Sequence, residues 1–197
     1  AKELINNVLK SKFKCYATEG NLNNHIGVPL SILRVNKEKH EIAVIEMGAN
    51  HVKEIEFLCQ IAMPTHGAIT NIGSAHLEGF KNLQGVINAK NELYQYLKKN
   101  NGTVFVNSQD KLLHKLSKNI RRITYGPKAN CTGHIIKNTP FIDVKFNTTK
   151  IASNLIGDYQ FNNIMLAVCV GKEFGILDTE IRNSIQEYKP KNNRSEI

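Results

Sequence analysis

The chain has 197 residues, of which 41% are hydrophobic and 22% charged, proportions of a folded globular domain that exclude wholesale disorder. It is long enough to bury a core without disulfides or metals, and no apolar run approaches the roughly 18–20 residues of a membrane helix. Lys and Arg number 26 against 17 Asp and Glu, a net charge of +9 that suits a phosphate-bearing partner or, equally, a solvated lysine-rich surface.

Periodicity predicts alternating helices and strands over the first two thirds of the chain. Residues 2–11 read as a helix with Leu4, Ile5, Val8 and Leu9 on one face, already under way at the first residue. A short strand over 14–18, a polar loop over 19–25 and a short helix opening at Pro29 follow. Residues 41–47 (EIAVIEM) make the apolar run expected of a strand buried on both faces of a parallel sheet. A helix over 52–62 stops at Met63 and Pro64, and 67–72 is the next strand. A long helix over 82–99, a strand over 103–106, a helix over 111–117 and a strand over 122–125 continue the rhythm. Between 131 and 153 the pattern changes to short antiparallel strands at 135–136, 141–146 and 150–152. Helices return over 161–174, closed by Gly175, and over 179–188, with Asp178 or Thr179 as the expected N-cap. This order predicts one α/β domain: an open, mostly parallel sheet with helices on both faces, plus a small antiparallel β appendage.

The four cysteines, Cys15, Cys59, Cys131 and Cys169, form no CxxC pair and no zinc-finger spacing. Cys59 and Cys169 sit in apolar helical patterns and read as small buried hydrophobes. With no Trp and 7% aromatics, the basic clusters at 10–14 and 189–191, with Phe13 their single aromatic, do not interleave aromatics in the manner of a single-strand groove.

Open parallel sheets bind ligands beyond the carboxyl ends of their strands, which singles out three loops. In TEGNLNNHIGVP (18–29), two glycines frame amide side chains that can donate to phosphate or carboxylate oxygens, with Asn21, Asn24 and His25 as candidates; an ordinary Asn/Gly turn is the other reading. In EMGANH (46–51), Glu46 stands where a nucleotide-binding domain holds Mg²⁺, or where a Glu caps the next helix. In NIGSAHLEGF (71–80), His76 suits a metal or a phosphate, or is merely exposed. Lys90, on the long helix, reads by itself as a surface lysine.

Taken together, residues 17–30, 43–51 and 75–80 resemble the Mur ligases, in order and spacing over nearly the whole chain. The resemblance implies a P-loop-NTPase-like central domain of a three-domain, cytoplasmic bacterial enzyme of peptidoglycan synthesis. It is strongest to the branch that adds D-Ala-D-Ala to UDP-N-acetylmuramoyl-tripeptide through an acyl phosphate. It implies ATP and Mg²⁺ as cofactors, Glu46 on the metal bridging the ATP phosphates, and His76 on a second Mg²⁺. Lys90 falls where the family carries a carbamylated lysine, an anionic metal ligand, so that Lys90 and His76 become the catalytic candidates. GDYQFNN (157–163) is similar to the family's G-x-H-N-x-x-N segment near adenine. Asn163 keeps the adenine position there, while Tyr159 and Gln160 replace His-Asn. Arg194 is similar to the arginine that reaches the nucleotide from the junction with a C-terminal domain.

The family's phosphate-binding loop, G-x-x-G-K-[ST]-[ST], is expected immediately before Lys2, and its C-terminal domain after about Arg194. Residues 1–197 are thus expected to be one domain of a larger enzyme, monomeric, inactive alone, and without nucleic-acid or membrane partners. Another Mur-type or folylpolyglutamate-type ligase is the nearer alternative, and a basic nucleic-acid-binding module the more distant one.

Overall fold

The computed structural model describes residues 1–73, 80 and 82–190. In chain order the elements are α1 (Lys2–Leu9), β1 (Cys15–Ala17), α2 (Gly27–Arg34), β2 (Ile42–Val44), α3 (Glu54–Ala62), β3 (His66–Ala68), α4 (Leu83–Lys99) and β4 (Thr103–Asn107). There follow α5 (Lys111–Leu116), β5 (Arg121–Gly126), β6 (Cys131–Lys137), β7 (Asp143–Phe146), β8 (Thr149–Ala152), α6 (Gln160–Glu173) and α7 (Asp178–Glu187).

Strand β4 shows why the sheet is covered on both faces. Phe105 enters a cluster with Leu4 and Val8 of α1 and Ile164, Met165 and Val168 of α6. Its neighbours Val104 and Val106 enter the opposite cluster, with Tyr94 and Leu97 of α4 and Leu113 of α5. Successive strand side chains point to opposite faces, so an unbroken apolar run fits only a strand with a helix layer on each side. Strands β3, β4 and β5 are parallel neighbours, and β6, β7 and β8 extend the same sheet, with β6–β7–β8 antiparallel. Strands β1 and β2 form a separate parallel pair.

The antiparallel segment expected between 131 and 153 is present and is not an ornament. Ile142, Val144, Phe146 and Ile151 are fully buried in the cluster that holds α6. The link from β5 to β6 is only residues 127–130, too short for a crossover helix. The chain turns at Gly126, with φ +110, and β6 overlaps β5 only at Tyr125↔Cys131 and Gly126↔Thr132.

Several helix ends follow from local chemistry. The Asn82 side chain accepts from the Gly85 N–H and the Asp110 side chain from the Leu113 N–H, capping α4 and α5. Gly175 takes φ +67 just past α6, a conformation a β-carbon would oppose. Three expectations need correction. Helix α2 opens at Gly27, so Pro29 lies within its first turn instead of beginning it. The N-cap of α7 is Leu177, not Asp178 or Thr179; Glu180 Oε2 accepts the Leu177 N–H, and Asp178 pairs with Lys172. The strands expected over 41–47 and 67–72 are each three residues long, because loop contacts replace the ladder beyond Val44. The Glu46 N–H donates to Thr18 Oγ1 and the Gly48 N–H to the Asn23 carbonyl.

All four cysteines are free, with Cys59, Cys131 and Cys169 buried. No helix among the described residues is long and apolar enough to cross a membrane.

Candidate functional site

The carboxyl ends of β2 and β3 open onto a cleft of about 830 Å³. Glu46, Asn71, Lys90, Asn163, Ala1 and Lys2 all line it. Glu46 stands two residues past β2, its backbone anchored on the buried Thr18 hydroxyl at 3.0 Å. Its Oε1 accepts from Asn23 Nδ2 at 2.9 Å, and its Oε2 lies 3.6 Å from Lys2 Nζ. The Lys2 side chain is only 11% exposed and also donates to the Gly20 carbonyl at 2.8 Å, whereas that of Glu46 is 42% exposed. The carboxylate is thus held from the protein side and open toward the cleft.

Tight backbone approach explains the glycines of the two motifs. A β-carbon on Gly48 would meet the Asn23 side chain at 3.2 Å, and one on Gly27 would meet the Leu22 backbone at 2.4 Å. Within the 18–29 loop the roles separate. Asn24 Oδ1 accepts from the Ile26 and Gly27 N–H groups and caps α2. Asn21 and His25 are exposed. Asn23, which sequence reasoning did not select, is the residue that reaches Glu46; it lies in the Asn-rich motif, yet nothing in the linear order distinguishes it from Asn24.

Lys90 is not the surface lysine its helix position suggested. Its Nζ donates to the Asn71 carbonyl at 2.7 Å and lies 3.4 Å from Asn71 Oδ1. No carboxylate pairs with it among the described residues, and burial pushes its pKa below the ordinary lysine value. At the start of α6, Asn163 Nδ2 donates to Gln160 Oε1 at 2.8 Å. Gln160 is buried and Tyr159 is exposed. His76 and Arg194 lie outside the described residues. Among the described residues no three His, Cys, Asp or Glu side chains gather into a metal cluster.

Glu92, also unselected from the sequence, sits on α4 two residues beyond Lys90 and ties α4 to the start of α3. Its Oε1 accepts from the Lys53 N–H at 2.6 Å and its Oε2 from the Glu56 N–H at 3.0 Å. Lys53 takes φ +75 there, a left-handed conformation that needs such anchoring. Glu92→Ala is expected to destabilise the domain by about 1–2 kcal/mol, as removal of a helix cap does. Thermal unfolding should then shift down by roughly 2–8 °C; an unchanged midpoint would remove Glu92 from this role.

A carboxylate, a half-buried lysine and the N-terminus of α1 thus meet at the carboxyl end of a parallel α/β sheet. The family Mur ligase middle domain matches residues 1–171, and the chain belongs to that family. It is 34% identical over 177 residues to the UDP-N-acetylmuramoyl-tripeptide–D-alanyl-D-alanine ligase of Haemophilus influenzae, covering 86% of this chain and 38% of that one. It is similar in structure to MurF from Acinetobacter baumannii, with TM-score 0.88 and 27% identity over 98% of this chain and 44% of that one. MurF from Thermotoga maritima, in complex with ADP, superposes with TM-score 0.81 and 28% identity over 96% of this chain and 45% of that one. The chain therefore spans less than half the length of these relatives.

Proposed function

We propose that this chain is the nucleotide-handling middle domain of a cytoplasmic bacterial ligase, which joins D-Ala-D-Ala to UDP-N-acetylmuramoyl-tripeptide at the expense of ATP. The observation that carries this reading is the meeting of Glu46, Lys90, Asn163 and the N-terminus of α1 on one cleft at the carboxyl end of the sheet. The relatives named for this reaction, and the ADP held by one of them, support it.

In the proposed reaction the tripeptide carboxylate takes the γ-phosphoryl group of ATP, releasing ADP. The D-Ala-D-Ala amine then displaces phosphate to form the amide. Mg²⁺, when bound, offsets the charge on the transferring phosphoryl group. Glu46 fits that ion: it is a hard oxygen donor open to the cleft, and Mg²⁺ is commonly held by one or two carboxylates with phosphate and water completing the shell. Asn23 and Lys2 hold Glu46 in place from behind. The N-terminus of α1 presents partial positive charge to phosphate oxygens.

Lys90 fits carbamylation on its own chemistry. Desolvation favours its neutral amine, the form that adds CO₂ with loss of one proton. The carbamate would carry one negative charge and keep one N–H for the Asn71 carbonyl. We assign Asn163 to the adenine end, and His76 and Arg194 to a second metal and the nucleotide by resemblance. The chain acts as a monomer within the larger enzyme and has no nucleic-acid or membrane partner in this reading.

The 197 residues hold no G-x-x-G-K-[ST]-[ST] loop, so by themselves they are expected to bind nucleotide weakly. Isothermal titration with Mg-ATP should give a dissociation constant above about 1 mM, worth less than roughly 4 kcal/mol of binding. Sub-millimolar binding would overturn that expectation.

A further inference from the structure

Two of the four thiols play no part in the cleft and meet in the core. Cys131 opens β6 and Cys169 lies on α6, both in the cluster that packs the helix on the sheet. Cys131 and Gly133 are buried and Thr132 between them is exposed, so Cys131 and Gly133 share the strand face turned inward. A β-carbon on Gly133 would meet Met165 Sδ at 2.4 Å, so the Met165 side chain lies against that glycine. Helix α6 ends beside the start of β5, where Arg121 pairs with Glu173, and β6 is parallel to β5. The helix therefore runs against β6. Two residues back along a strand cover about 6.6 Å, and four residues on along a helix about 6.0 Å. The contact of Gly133 with Met165 thus sets Cys131 opposite Cys169.

The thiols do meet there, and the Cys169 S–H donates to the Cys131 sulfur. That bond, with Lys172 near by, holds the Cys131 thiol below the ordinary cysteine value, while the same bond and burial push Cys169 up. The other two thiols are made less reactive. Burial pushes Cys15 up to about 11 and Cys59 up to about 12. Cys131 is also the open end of the pair: it is 8% exposed and follows the turn at 127–130, whereas Cys169 is 1% exposed. Among the described residues no third His, Cys, Asp or Glu joins the two to hold a metal.

We propose that Cys131 and Cys169 form a reversible dithiol–disulfide site that is oxidised by a small hydroperoxide. The Cys131 thiolate attacks one peroxide oxygen and breaks the O–O bond. A sulfenic acid forms on Cys131, and the other oxygen leaves as hydroxide and is protonated to water. The Cys169 sulfur then attacks the Cys131 sulfur, displacing its hydroxyl, which leaves with the Cys169 proton as a second water. The two sulfurs are oxidised by one electron each and the peroxide is reduced. A thiol reductant reverses the change. The bond closes residues 131–169 into one loop and fastens α6, which brings Asn163 to the cleft, to the strand beside it. None of this chemistry depends on the ligase reading.

The test exposes the native protein to hydrogen peroxide, blocks the remaining thiols with iodoacetamide in denaturant, and maps the cysteine peptides by mass spectrometry. The Cys131 and Cys169 peptides should be recovered joined, two hydrogens lighter than the separate pair, and should part again with dithiothreitol. Their joining should outpace oxidation of Cys15 and Cys59 by about 10-fold or more, as thiolate content and access dictate. In urea that preference should vanish, because only the fold brings the two together. Cys169→Ser should halt the sequence at a Cys131 sulfenic acid, trapped by dimedone, and Cys131→Ser should leave Cys169 unreacted. Recovery of both cysteines alkylated singly after peroxide overturns the proposal. So does linkage of either to Cys15 or Cys59, or an undiminished preference in urea. The mapping on the unaltered protein needs no variant, so a serine variant that fails to fold leaves the test standing.

Discussion

Glu46→Gln in the full-length ligase should lower turnover by about 10²–10³-fold, since metal stabilisation of transition-state charge is worth several kcal/mol. The substitution keeps an oxygen for Asn23 Nδ2 and a side chain of the same size, but removes the charge that faces Lys2 and the cleft. Stability should barely move. The Lys2 contact is 3.6 Å long and the carboxylate is 42% exposed, so the pair is worth no more than about 1 kcal/mol. A helix-capping Glu would give the opposite pattern, with the melting temperature lowered and turnover nearly intact. Measuring both on one variant separates the roles, and other carboxylates already take the N–H groups at the start of α3. The residue that caps the start of α3 is Glu92, and the N–H groups of Asn50 and His51 go to Glu54.

Phe146→Ala should cost about 3–5 kcal/mol of stability, as deletion of a fully buried Phe does. The side chain has no exposure and packs in the cluster that joins β7 and β8 to α1 and α6. For a domain of this size that is a fall of roughly 6–20 °C in melting temperature. Because the antiparallel strands share the core of the parallel part, the loss should lower one cooperative transition. An early, small transition with the main one unmoved would mean that β6–β8 fold as a separate unit. Phe146 does not itself line the cleft, so nucleotide-linked readouts should follow stability alone.

Much of the secondary structure was legible because its causes are local. The 3.6-residue spacing of Leu4, Val8 and Leu9 and Gly175 after α6 each act within a turn or two. The apolar run over 41–47 predicted a strand covered on both faces, but β2 is only partly buried, with Ala43 exposed, and the full cover falls on β4. Strand length was less legible. Ile45 and Met47 continue the apolar pattern of β2, but a strand persists only while a neighbour supplies hydrogen bonds, and the chain there turns to Thr18 and Asn23 instead.

The site divides along the same line. Glu46 could be picked out as a carboxylate at a strand end, and Lys90 by resemblance, whereas its helix position pointed to solvent. Asn23, Asn71 and Glu92 could not be picked out, because each acts on a partner distant in the chain: Asn23 on Glu46, Asn71 on Lys90, Glu92 on the amides of Lys53 and Glu56.

Composition and apolar spacing by themselves pointed to a folded α/β chain with a net positive charge, since burial and periodicity depend only on how many apolar residues there are and how they are spaced. Only the tertiary structure decided that the sheet is divided at the cleft, with β2 and β3 presenting edges to it. Strand order is a choice among pairings that the same local pattern permits, and it is settled by which helices pack on which face. The +9 charge left a phosphate-bearing partner and a solvated surface equally open, while the tertiary structure brings a lysine and a helix N-terminus beside a carboxylate on one cleft.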